Sequence, residues 1–129
     1  MTRKDIQLKK YNISPARYRE LKYFCLQYEE WKAILNSDAS ALKAVHISDM
    51  PGAHEISDST VAIALKRAEV SEKCSLVEQS AIEAAPEIYE YIIKNVTQGI
   101  LYEYMSVPCG RRQFYTARRK FFYILSKKR

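Results

Sequence analysis

A chain of 129 residues that is 47% hydrophobic and 28% charged, with three glycines and four prolines, has the size and composition of one helix-rich domain with a single core. No apolar run is long enough for a signal peptide or a membrane span, which predicts a cytoplasmic protein with no membrane partner. The charge is uneven: Val107 to Arg129 holds eight lysines and arginines and no acid, so the preceding 106 residues carry a net −2 against +6 for the whole. A cationic cluster at one end steers a polyanionic partner, duplex DNA above all, whose condensed counterions it would release, while a solvated tail or an acidic lipid surface are the alternatives.

Cys25, Cys74 and Cys109 lack the spacing of a disulfide framework or a zinc knuckle. His46 and His54 are the only histidines, and their separation fits no helical pair of metal ligands, so they read as residues of a surface loop. A Ser/His/Asp scheme with Asp49 and Ser57 lacks a nucleophile elbow, and no glycine-rich phosphate loop is present. The expectation is no enzyme, no catalytic residue, no metal and no cofactor.

In chain order, residues 1–13 read as a flexible basic N-terminus. Ser14-Pro15 then supplies an N-cap followed by proline at the first helical position. From there Leu21, Phe24, Cys25, Tyr28, Trp31 and Leu35 fall in one angular sector at 3.6 residues per turn, which predicts a core-facing stripe; an aromatic series at that spacing is packing before it is a base-stacking platform. Residues 36–57 carry turn signals at Asn36-Ser37-Asp38 and Ser48-Asp49-Met50-Pro51-Gly52 and read as a long loop, with a short helical piece around Ala39 to Val45. Ser57 or Asp58 is the expected cap of a long second helix ending near Ala85, antiparallel to the first. Its stripe of Ile63, Val70, Cys74, Val77 and Ala81 opposes a second apolar side at Val61 and Leu65, so two neighbours are expected, one of them the C-terminal unit or a second copy.

Pro86-Glu87 opens a third predicted helix with Ile88, Tyr89, Ile92, Ile93 and Val96 on one face, ended by Gly99. Ile100 to Ser106 follows as a short helix, Val107-Pro108-Cys109-Gly110 as a turn, and about Arg111 to Lys127 as a final helix. The fold expected is all-α: a helical hairpin with a long second helix over residues 14–85, then a helix-turn-helix over residues 86–129. On the last helix Phe114, Ala117, Phe121 and Leu125 would pack on Ile92, Val96, Leu101 and Met105, leaving Arg112, Thr116, Arg119 and Tyr123 outward with Gln113 and Lys120 beside them.

An arginine can bond guanine O6 and N7 with two donors, and glutamine can do the same to adenine. The N-terminal end of such a helix reaches deepest, so Arg111, Arg112, Gln113 and Thr116 are candidates for base edges. Arg119, Lys120, Lys127, Lys128 and Arg129 are candidates for phosphates, with Tyr123 on the same face. Arg118 sits near the apolar side, where a carboxylate such as Glu103 or Glu87 is a structural partner as plausible as DNA.

The run Val107-Pro108-Cys109-Gly110-Arg111-Arg112-Gln113-Phe114-Tyr115, followed by Arg118-Arg119-Lys120-Phe121-Phe122-Tyr123-Ile124-Leu125, resembles the C-terminus of RinA/ArpU-like late-gene regulators of phages and prophages of Gram-positive bacteria. Upstream, Tyr23-Phe24-Cys25-Leu26-Gln27-Tyr28, Trp31, Met50-Pro51 and Ser57-Asp58-Ser59-Thr60 resemble the N-terminal half of that family. The resemblance implies a C-terminal module similar to sigma-factor region 4, and a small activator that binds promoter DNA and touches RNA polymerase. Two other readings suit the same pattern: a DNA-recognition subunit of a phage packaging machine, and an adaptor whose cationic tail docks on RNA polymerase without DNA.

Overall fold

The structure is a computed structural model and describes residues 11–36 and 53–129, which form an all-helical arrangement with no strand among them. Residues 1–10 and the predicted loop over 37–52, including His46, Asp49 and the piece at Ala39 to Val45, lie outside the described residues.

The first helix, α1 (Pro15–Leu26), starts where the sequence places it: the Ser14 hydroxyl accepts the Arg17 amide at 3.1 Å, and Pro15 fills the position whose missing N–H costs nothing. The expected continuous helix is divided at Gln27, whose amide turns to the Phe24 carbonyl at 3.3 Å before α2 (residues 28–36) resumes. Gln27 keeps right-handed dihedrals, so Leu21, Phe24, Cys25, Tyr28 and Trp31 still share one buried stripe across the break. Ile13 corrects the N-terminal expectation: it is 3% exposed and part of the core.

The long helix, α3 (Ala53–Ala84), begins before the predicted cap, so Ser57, Asp58 and His54 belong to helix and not to a loop. Serine and aspartate cost a helix interior only a few tenths of a kcal/mol, roughly, and this outweighed their preference for caps. α2 runs antiparallel to α3. The Tyr28 hydroxyl donates to Glu78 at 2.5 Å, Lys73 lies 5.6 Å over the Trp31 ring, and Arg67 reaches the Ile34 and Leu35 carbonyls at 3.5 and 3.3 Å. Of the two predicted apolar sides, the one with Val70, Cys74, Val77 and Ala81 is buried, whereas Val61 and Leu65 are exposed.

A turn over residues 85–88 links α3 to α4 (Tyr89–Gln98), which therefore starts later than Pro86. Gly99 ends it: its amide still closes on the Asn95 carbonyl at 3.0 Å, and its left-handed φ of +71 then turns the chain out of the helix. The short helix expected over Ile100 to Ser106 is a single 3₁₀ turn, Tyr102–Tyr104, so α4 and the last helix are joined by more than a tight turn. That last helix, α5 (Arg111–Lys128), makes its widest packing on α3 and lies in one core with α1, α3 and α4. Ser80, Ala81 and Ala84 are small and buried on α3, while Phe114, Phe121 and Phe122 are fully buried on α5. Small against large lets two helices approach while filling the space between them.

Candidate nucleic-acid interface

The orientation of α5 follows from its sequence. Phe114, Phe121, Phe122 and Leu125 are 0% exposed, which fixes the opposite side of the helix toward solvent. On that side Arg112, Gln113, Thr116, Lys120 and Lys127 are exposed, and Arg119 and Tyr123 are half-buried. The structure thus brings seven of the ten predicted residues onto one face. The Thr116 hydroxyl donates to the Arg112 carbonyl at 2.9 Å and accepts from Arg119 Nη2 at 3.1 Å, so the arginine lies along the helix surface. Tyr123 stacks on Tyr11 with centroids 5.1 Å apart, and Lys127 sits 5.5 Å over its ring. Arg112, Arg119, Lys120 and Lys127 form no ion pair with any carboxylate among the described residues.

The other three predicted contacts differ. Arg111 is ion-paired with Glu103 and lies 5.2 Å from the Tyr115 ring centre. Lys128 pairs with Glu83 of α3 at 2.8 Å. Arg129 turns toward α1: it meets Glu20 at 2.7 Å and lies 4.3 Å over Phe24. Residue 129 stands one helical turn beyond Leu125 and leans toward α1, so Arg129 and Lys128, expected as phosphate contacts, are exposed but each paired with a carboxylate.

Arg118 has neither Glu103 nor Glu87 as partner. It is 9% exposed, donates from Nε to Asn95 Oδ1 at 2.6 Å, and stacks 4.9 Å from the Phe122 ring and 5.9 Å from Tyr18. Asn95, which the sequence reading did not single out, also donates to the Ile100 carbonyl at 2.9 Å and so ties the end of α4 to α5. Its only sequence signal is a polar residue one turn before Gly99. Leu101 is a further correction: it is 48% exposed, because its extended backbone after Gly99 turns it away from α5. Tyr102 takes the inner position, its ring 5.4 Å from Phe114 and its hydroxyl donating to the Cys109 carbonyl.

Beside the exposed face opens a cleft of about 460 Å³ between the 84–88 turn, Pro108-Cys109 and the Gln113, Thr116, Lys120 side of α5, with Tyr11 at its edge. Burial pushes the Cys109 thiol at its rim above its ordinary 9.0. Among the described residues no cluster of His, Cys, Asp and Glu has the makings of a metal site, and no helix is long and apolar enough to cross a membrane. What this surface offers is cationic and amide donors along one helix. Comparison of the chain with protein-family models, curated proteins and solved structures finds no match.

Proposed function

We propose that the protein binds double-stranded DNA in a sequence-specific manner, with α5 entering the major groove, and that its role is transcriptional regulation. The observation that carries this reading is the cross-section of α5. Three phenylalanines and a leucine are fully buried on one side, and four cations with no acidic partner among the described residues, one glutamine and one threonine stand on the other. A helix anchored this way is narrow enough for the groove and presents donors at the spacing of base edges and phosphates. Arg112, Gln113 and Thr116 read bases in this scheme; Arg119, Lys120 and Lys127 hold the backbone. The resemblance noted in the sequence extends the proposal to promoters of phage or prophage late genes, with RNA polymerase as a second partner.

Titration of a duplex chosen from a random library, at several salt concentrations, tests the reading. About three neutralised phosphates, one each for Arg119, Lys120 and Lys127, give log K against log salt a slope near −2.7, whereas a flat dependence rejects the contact mode. Arg112→Ala relaxes preference at one base position at a cost of about 1 to 3 kcal/mol, and Arg119→Ala reduces the slope by about one without changing preference. Equal losses from Arg112→Ala on every sequence reject direct readout.

A further inference from the structure

We propose that Glu103 is a specificity-determining positioning residue, holding the Arg111 guanidinium at the head of α5 with its free edge presented to a guanine. The proposal rests on the DNA-binding reading above and assigns a role to an acid that reading leaves unexplained. An acidic side chain beside the cationic end of the molecule opposes the approach of phosphates and lowers affinity for every duplex. It does not repay this as a stabilising ion pair. Arg111 and Glu103 side chains are 58% and 45% exposed, and a pair so open to water adds little to the stability of the fold.

The geometry accounts for it. Glu103 sits in the 3₁₀ turn Tyr102–Tyr104, which is anchored from both sides: the Tyr102 ring packs on Phe114, and its hydroxyl holds the Cys109 carbonyl two residues before α5 begins. Arg111 is the first residue of α5, at the end that reaches deepest into a groove. Its guanidinium is gripped on two sides, by the Glu103 carboxylate at Nη1 and by the face of Tyr115, so a side chain with many rotamers is confined. Because Nη1 is the engaged nitrogen, the Nε and Nη2 edge keeps two parallel donors, the pair that guanine O6 and N7 accept. Part of the ordering cost of fixing the arginine is thus met before DNA arrives, and a wrong base faces a charge drawn toward Glu103 and away from the phosphates.

Removing the carboxylate while keeping the shape separates this from a general charge effect. The full-length chain carrying Glu103→Gln, Glu103→Asp, Arg111→Ala or the Glu103→Gln/Arg111→Ala pair is titrated against three duplexes: the selected site, the same site with single guanines replaced, and random sequence. Circular dichroism confirms that each variant is folded. Glu103→Gln is expected to bind random duplex about fivefold tighter with a salt slope steeper by about one, as Arg111 becomes a phosphate contact. Preference for one guanine falls about tenfold or more. Glu103→Asp retains part of that preference, and in the Arg111→Ala background Glu103→Gln no longer changes it. Tighter binding with base preference intact overturns the proposal, as does loss of preference that persists without Arg111. If the wild-type chain binds no duplex, the reading of α5 fails first and this proposal with it.

Discussion

Arg118 shows how one side chain sets the pose of a whole helix. Its guanidinium is almost fully covered, with Asn95 Oδ1 as hydrogen-bond acceptor and two aromatic rings along its faces, so the charge is solvated by the protein in place of water. Deleting it leaves the Asn95 oxygen short of a donor and opens space beside Phe122. Arg118→Ala should therefore destabilise the fold by about 2 to 3 kcal/mol, read as a lower urea midpoint at unchanged slope. Arg118→Lys should recover only part of that loss, because an ammonium cannot stack as a planar fork does. Ser80 is the opposite case. Its hydroxyl is fully buried with no hydrogen-bond partner among the described residues, a cost without return. Ser80→Ala should raise stability by about 1 kcal/mol in the same urea titration; a loss would show that the hydroxyl is satisfied in solution.

The two glycines that bracket the connector between α4 and α5 are glycines for different reasons. Gly99 occupies φ +71, where an added Cβ meets no neighbour but would strain a backbone conformation that glycine adopts freely. Gly99→Ala should cost about 1 kcal/mol, and Gly99→Asn less, since asparagine tolerates the left-handed region. Gly110 caps α5 at φ −70 and ψ 157 without a side-chain hydrogen bond, and a Cβ there also meets nothing. Gly110→Ser should then stabilise by a few tenths of a kcal/mol through a cap that α5 lacks, with thermal unfolding of the pair showing shifts of opposite sign. These punctuation points were legible in the sequence because they are local: Ser14-Pro15, Gly99 and Gly110-Arg111 set the ends of α1, α4 and α5 whatever surrounds them. The stripes on α1, α3 and α5 were legible for the same reason, through period alone. The break at Gln27, the start of α3 at Ala53 and the reduction of Ile100 to Ser106 to one 3₁₀ turn were not, because packing decides them against weak local preferences. Within the candidate interface, direction was readable from the wheel. Partners were not: nothing in spacing assigns Glu103 to Arg111, Asn95 to Arg118 or Glu20 to Arg129.

For the molecule as a whole, the core that holds α5 in place also encloses titratable groups that must stay neutral. Cys25 is 0% exposed, and burial pushes its thiol from 9.0 up to about 12, with Arg118 and Arg129 drawing it partly back. Burial, helped by the hydrogen bond to Glu78 and its charge, likewise raises the Tyr28 phenol above its ordinary 10.0. Both groups hold their protons more tightly folded than unfolded, so their contribution to stability is fully present below the unfolded values. It is lost as pH rises toward the folded ones. The fold should be insensitive to these groups near neutrality and weaken from about pH 9 to pH 12, by up to about 1.4 kcal/mol per pH unit for each proton the unfolded chain releases. Urea midpoints taken at steps across that range would show the fall. Cys25→Ala, though less stable at pH 8 because of the space it leaves, should lose stability with the shallower slope of one proton fewer. Parallel declines in the variant and the wild type would mean that the thiol ionises alike in both states and that the core at Cys25 is open to water.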